Sequence, residues 1–200
     1  MGKIFYVMGP SASGKDTVYQ EVLGREELGL RSLVLYTTRP IRANETEGVE
    51  YHFVDEERLA QLESEGRVIE LREYHTVQGI WKYFTVDDEE LDLEKGDYLA
   101  IGTLVSYGKL REYFGEERME PVYIEVSEDV RIERALKRER KQAAPDYQEM
   151  CRRFLADSVD FSEEKLEKAG IGKRFRNDGE KEECIEEIVG YILEQKDFIR

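Results

Sequence analysis

One segment constrains this chain more than any other: Gly9-Pro10-Ser11-Ala12-Ser13-Gly14-Lys15-Asp16-Thr17. It follows the apolar run Ile4-Phe5-Tyr6-Val7-Met8 and precedes a stretch, Lys15 to about Glu27, that places Val18, Val22 and Leu23 on one helical face. Strand, glycine-rich turn and helix in that order, with the spacing G-x-x-x-x-G-K, describe a phosphate-binding loop. Glycines let backbone N–H groups point inward at phosphate oxygens, and the helix N-terminus adds a positive dipole end. A lysine at this point reaches the outer phosphates of a nucleoside triphosphate.

Gly9, Ser11, Ser13, Gly14, Lys15, Asp16 and Thr17 are therefore the expected nucleotide contacts. The position after the lysine is ordinarily Ser or Thr, a magnesium ligand. Here Asp16 stands there, with Thr17 next. Asp16 either holds magnesium through water or simply favours the positive end of the helix. A second strand, Arg31–Tyr36, completes a βαβ opening, which implies a parallel sheet covered by helices.

Charge sets the next constraint. Thirty Lys and Arg face 45 Asp and Glu, a formal net charge of −15. That balance argues against a general nucleic-acid binder or a binder of anionic membranes. An anionic substrate must be drawn in by a few local cations against the global field. No apolar run approaches the roughly 18 residues of a membrane span, and the apolar N-terminal run is too short for a signal peptide. With only Cys151 and Cys184 there is no disulfide framework and no C-x-x-C metal pair, as expected of a cytoplasmic protein.

The chain reads as a single domain over residues 1–200. Residues 1–36 and 87–200 form the core, with a helical lid at about 128–159, and residues 37–86 form an inserted lobe. Within the lobe, Tyr51–Val54 reads as a strand and Asp55–Glu65 as a helix with an Asp cap. Val68–Val77 and Ile80–Val86 read as strands joined near Gln78-Gly79. The core resumes with strand Tyr98–Thr103, helix Leu104–Phe114 and strand Pro121–Val126. Helices at about 128–141 and 146–159 follow, then strand Lys173–Arg176 and a helix at about 180–195.

The positive charge is concentrated in two places. Arg39 and Arg42 bracket Pro40 in Thr37-Thr38-Arg39-Pro40-Ile41-Arg42 and suit a fork for a second phosphate. Surface pairing with Glu45 or Glu47 is the other reading of these arginines. Arg131–Lys141 holds six cations against two acids, with Arg131, Arg134 and Arg138 on one helical face and Ile132, Ala135 and Leu136 as a buried stripe. In the next helix Tyr147, Met150, Cys151, Phe154 and Leu155 have core spacing, flanked by Arg152 and Arg153.

The string Thr37-Thr38-Arg39-Pro40-Ile41-Arg42 through Glu45, Gly48, Tyr51 and Phe53 resembles the hallmark of guanylate kinases, as does Gly9-Pro10-Ser11. The resemblance implies an α/β fold: a P-loop three-layer sandwich with a central parallel sheet, an inserted mixed acceptor-binding lobe and a helical lid. It implies ATP-dependent phosphoryl transfer, with Mg2+, to a nucleoside monophosphate, GMP first. Thr38, Arg39, Arg42 and Tyr51 then grip the acceptor phosphate. Glu70 matches the residue that reads guanine, whose two adjacent N–H donors suit one carboxylate; a solvated residue on an alternating strand is the other reading. Arg134, Arg138 and Arg153 match the lid arginines that, with Lys15 and Arg39, stabilise the transferred group; a solvated basic helix paired to acids is the other reading. Asn177 matches a residue at the adenine pocket; a turn after the late strand is the other reading.

Two departures mark the chain as divergent. The family's Tyr-Gly-Thr is replaced in the stretch His75–Thr85, where Tyr83 or Trp81 stands in. Leu99-Ala100-Ile101-Gly102-Thr103 lacks the family's base-contacting Asp, leaving the Thr103 hydroxyl. A kinase of another phosphorylated acceptor, such as ribose 1,5-bisphosphate, and a non-catalytic binding module of the same fold are the alternatives. The expected partners are small molecules, with no nucleic acid and no membrane.

Overall fold

The computed structural model describes residues 2–76, 79–88 and 91–197. Its axis is β1 (Ile4–Met8), whose five side chains are all buried. An unbroken apolar run is what a central parallel strand needs, because helices cover both faces. β1 pairs in parallel with β7 (Tyr98–Gly102) on one side and β8 (Met119–Glu125) on the other. The short strands β2 (Arg31–Ser32) and β9 (Arg174–Arg176) extend the sheet to the order β2-β7-β1-β8-β9, parallel throughout.

Alternation along β1 divides the core. Ile4, Tyr6 and Met8 face Leu104, Tyr107 and Leu110 of α3 (Leu104–Phe114). Phe5 and Val7 face Val18 and Val22 of α1 (Lys15–Leu23), together with Ile185, Ile188 and Ile192 of α7 (Lys181–Asp197). The core is thus a three-layer α/β sandwich around a parallel sheet.

A second sheet is mixed, in the order β4 (Tyr51–Phe53), β3 (Leu35–Thr37), β6 (Gly79–Val86), β5 (Val68–Thr76). β3 and β4 are parallel, and the other pairs are antiparallel. Leu59 and Leu62 of α2 (Glu56–Ser64) close its apolar face over Phe84 and Val86. Asp55 caps that helix by accepting the Arg58 N–H at 2.8 Å.

The expected strand Arg31–Tyr36 is two strands in two sheets. Leu33 still donates to Leu99 O at 2.9 Å, and then the chain leaves the parallel sheet and enters the lobe at Leu35. Nothing in Leu33-Val34-Leu35 breaks the β pattern, so the split is a tertiary choice. The first helix stops at Leu23, with Gly24 as its cap, and the chain turns once more as a 3-10 segment at Glu26–Leu28. β7 ends at Gly102 rather than Thr103. The Gln78 half of the expected hairpin turn lies outside the described residues, as does Val77.

The lid helices are α4 (Glu128–Glu139) and α5 (Tyr147–Asp160), followed by α6 (Glu163–Lys168). α6 was not expected from the sequence; Leu166 anchors it in the core. The expected core stripe of α5 is not one. Cys151 is exposed, Tyr147 and Leu155 are 45% and 68% exposed, and Met150 and Phe154 are half-buried. On α4 the buried side carries Arg131, Ala135 and Glu139, while Ile132 faces solvent. The two helices pack chiefly on each other at the rim of the sandwich, so neither has a second apolar surface to cover it.

Candidate functional site

The phosphate loop, Thr103 and Asn177 all follow the C-terminal ends of strands of one parallel sheet, the edge at which such sheets bind ligands. A surface depression of about 610 Å³ lined by Gly2, Lys3, Gly96 and Asp97 lies at the opposite edge and includes no residue of the phosphate loop.

The loop is tightly shaped. Ser13 N donates to Pro10 O at 3.1 Å, and Ala12 sits at φ 66°. A left-handed alanine costs about 1–2 kcal/mol, a strain of the kind held at ligand clamps. Gly14 has φ 85°, and a Cβ there would lie 2.6 Å from Asn177 Nδ2. At Gly9 a Cβ would lie 2.7 Å from Ile124 O. Only glycine permits either approach. Gly14 is also the N-cap of α1, and no side chain caps that helix. Its first N–H groups are therefore open to an anion.

Three buried polar atoms around the loop lack a hydrogen-bond partner: Ser13 Oγ, Asn177 Oδ1 and Arg131 Nη2. Asn177 Nδ2 donates to Ser13 O at 2.8 Å, so that side chain is held against the loop. Arg131 Nε donates to Ser11 O at 3.4 Å, and its guanidinium lies 4.3 Å over the Phe154 ring. Asp157 Oδ2 accepts the Ser11 N–H at 2.8 Å and sits 3.7 Å from Arg131 Nη2. α5 is thereby tied to the loop by a carboxylate. Arg131 and Asp157 were not singled out for this role by sequence. Arg131 was visible as a lid cation, whereas a contact between Asp157 and Ser11 leaves no trace in spacing.

Lys15 Nζ lies 3.5 Å from Asp16 Oδ2, and Asp16 is 85% exposed. Thr17 is exposed as well. No cluster of three or more His, Cys, Asp or Glu side chains suited to a metal occurs among the described residues. Magnesium bound mainly by phosphate oxygens and water asks for only one or two carboxylates. The solvent-facing Asp16 beside the loop meets that requirement.

The acceptor side is built on β3, β5 and β6. The Arg39 side chain is 3% exposed and clamped bidentately by Glu45, with both N···O distances 2.7 Å. Glu45 holds the guanidinium pKa above its ordinary value, and Arg39 in turn holds the Glu45 carboxyl below its own. Arg39 also lies 5.2 Å from the Tyr51 ring centre and 5.3 Å from that of Phe53. Arg42 remains exposed, its N–H bonded to Glu45 at 2.9 Å. Thr38 Oγ1 accepts the Lys82 N–H at 3.1 Å, extending the pairing of β3 with β6. Burial pushes the Tyr51 phenol up.

Tyr83 packs edge-on against both Tyr51 and Tyr74 at 5.5 Å. Of the two aromatic stand-ins, Tyr83 is the one that joins Tyr51. Glu70 is buried. Its Oε1 accepts from Thr85 Oγ1 at 2.9 Å and Arg72 Nη2 at 3.2 Å, and its Oε2 accepts from Arg72 Nε at 3.0 Å. The solvated reading of Glu70 is therefore excluded. Arg72 was not identified from sequence, although strand alternation places it on the same face as Glu70. Thr103 does not enter this group through its hydroxyl, which accepts the Ser106 N–H at 3.2 Å and caps α3.

Of the lid arginines, Arg134 is half-buried and Arg138 exposed. Arg153 Nε donates to Glu149 at 2.8 Å, and Arg152 donates to the same carboxylate at 2.6 and 2.8 Å. These two arginines lower the Glu149 carboxyl to about 2.

Comparisons with known proteins point to the guanylate kinases. The guanylate kinase family model matches residues 1–80. The guanylate kinase of Mycobacterium bovis is 41% identical over 76 residues, covering 38% of this chain and 36% of that protein. That of Symbiobacterium thermophilum is 35% identical over 98 residues, 46% of each chain. That of Frankia casuarinae is 50% identical over 62 residues, 31% of this chain and 33% of the relative. These alignments span only a third to a half of the curated relatives. The crystal structure of guanylate kinase from Anaplasma phagocytophilum superposes with a TM-score of 0.67 at 22% identity, covering 97% of this chain and 86% of that one. Residues 1–80 thus match the guanylate kinase family model, and over nearly its whole length the chain has the fold of a guanylate kinase.

Proposed function

We propose that this protein transfers the γ-phosphoryl group of ATP to a nucleoside monophosphate, converting GMP to GDP. The observation that carries the reading is the cleft itself. It combines a strained phosphate loop whose buried polar atoms lack hydrogen-bond partners with a lobe in which Tyr51 lies against an arginine locked in place.

The loop N–H groups and Lys15 hold the donor phosphates, displacing Asp157 from Ser11. Asn177 borders the donor site. Arg42, Tyr51 and Thr38 hold the acceptor phosphate, with Arg39 setting the shape of that wall. An acceptor phosphate oxygen attacks the γ-phosphorus in line. The new O–P bond forms as the bond to the β-phosphate oxygen breaks, and ADP leaves. The nucleophile is already an anion, so no side-chain base is required. Arg134, Arg138 and Arg153 neutralise charge on the transferred group once the lid closes and excludes water. Asp16 and Thr17 would hold Mg2+ through water; when bound, the ion screens the phosphate charges.

One domain with a core (residues 1–36 and 87–200), a lobe (37–86) and a lid (about 128–159) suits such closure. A cytoplasmic location suits the substrates, and no described helix is long and apolar enough to cross a membrane. A second reading, phosphorylation of ribose 1,5-bisphosphate, is favoured by one observation, the Arg72 cation beside Glu70.

The test is ADP formation from ATP and Mg2+ with GMP, dGMP, IMP, AMP, CMP, UMP or ribose 1,5-bisphosphate as acceptor. GMP-dependent turnover should fall about 10²- to 10³-fold in Lys15→Ala with an unchanged melting temperature. Turnover with the sugar bisphosphate alone overturns GMP as the acceptor.

A further inference from the structure

Glu70 and Arg72 lie two residues apart on β5, on one face of the strand, opposite Thr85 and Tyr83 of β6. Side-chain exposure is 3% for Glu70 and 16% for Arg72. An ionised carboxylate has about four lone-pair sites. On Oε1 both are engaged, by the Thr85 hydroxyl at 2.9 Å and Arg72 Nη2 at 3.2 Å. On Oε2 one is engaged, by Arg72 Nε at 3.0 Å. Room for one further donor remains.

A carboxylate that accepts guanine's N1–H and its 2-amino N–H together needs a free site on each oxygen. Glu70 has that on one oxygen only. Beside it stands a guanidinium, a donor to carbonyl oxygens and a repellent to amino groups. We propose that the Glu70–Arg72 pair makes this a 6-oxopurine site that does not read the 2-amino group. Glu70 Oε2 accepts N1–H, and the Arg72 guanidinium donates to O6. Guanine and hypoxanthine present both groups alike. Adenine presents the reverse: an amino group toward Arg72 and an acceptor nitrogen toward Glu70. Arg72 is thus a specificity residue rather than a catalytic one, and IMP joins GMP as a substrate. This inference rests on the nucleotide reading of the acceptor site.

The test compares kcat/KM for GMP, IMP and AMP in the wild type, Thr85→Val and Arg72→Leu. In the wild type, IMP should fall within about tenfold of GMP and AMP at least about 10³-fold below both, since a site built for a hydrogen bond rejects the mismatched analogue strongly. Thr85→Val keeps the ion pair and the side-chain volume but frees a site on Oε1. It should raise the GMP-to-IMP ratio about tenfold, mainly through KM. Arg72→Leu should raise it further where the variant folds, while lowering turnover of both nucleotides.

A wild type that prefers GMP to IMP by 10³-fold or more overturns the inference with no variant needed. So does a ratio unmoved in Thr85→Val. GMP turned over and IMP refused sinks this inference alone. Neither used, with ribose 1,5-bisphosphate used, sinks the nucleotide reading and this inference with it.

Discussion

The acceptor lobe and the lid carry similar residues in opposite states. In the lobe, Arg39 is buried and Arg72 partly buried, each held by a buried or nearly buried glutamate, and the tyrosines pack edge to edge. In the lid, Arg152 and Arg153 share one glutamate at the surface, and no residue of α5 is buried. The lobe is pre-organised; its charges have been desolvated during folding. Apart from Arg131 and Glu139 on α4, the lid keeps its charges in water, where ion pairs are weak and readily exchanged for phosphate oxygens. On the proposed function, one wall of the cleft is set before substrate arrives, and the other is assembled by it.

Three measurements would break or sharpen that contrast. Glu45→Ala leaves the Arg39 charge buried and unpaired, and should cost about 3 kcal/mol in denaturant unfolding. A loss below about 1 kcal/mol, the level of an exposed pair, would erase the distinction between lobe and lid. The native pair also has a pH signature. Arg39 depresses the Glu45 carboxyl below its ordinary 4.5, so its stabilisation is complete above that value and fades as pH falls through the folded value.

Phe154→Ala removes the ring beneath Arg131 and should cost about 1–2 kcal/mol. It acts beside the contacts of the lid with the phosphate loop, so differential scanning calorimetry should show an effect between the other two. A change as small as that of a surface residue would place Arg131 in the solvated lid after all. Glu149→Gln should cost less than about 1 kcal/mol at neutral pH, because the carboxylate and both arginines are more than a third exposed. With its carboxyl at about 2, the wild-type advantage should vanish between pH 4.5 and about 2. A loss comparable with that of Glu45→Ala would show the lid to be clamped too.

Legibility in the sequence followed the range of the interactions. The phosphate loop was readable because one contiguous segment makes the turn, the helix N-terminus and the lysine. The Arg39–Tyr51 segment was readable for the same reason, and even its competing reading survives: Arg39 does pair with Glu45, inside the protein rather than on its surface. The α5 stripe misled because helical periodicity reports which face is apolar, not whether anything covers it. Thr103 misled because a hydroxyl at a strand end serves a helix cap as readily as a ligand.

By itself, the sequence determined the order of elements, the parallel sheet and the shape of the glycine-rich loop before α1, all products of local pattern and backbone geometry. Only the tertiary structure decided where the chain leaves the first sheet after Leu33. Nor could spacing alone reveal that Asp157 occupies the loop N–H of Ser11, or that Arg72 and Thr85 fill three of the four lone-pair sites of Glu70. Those are contacts across up to 146 residues of chain, settled by which buried polar groups must find partners once the sheets have closed.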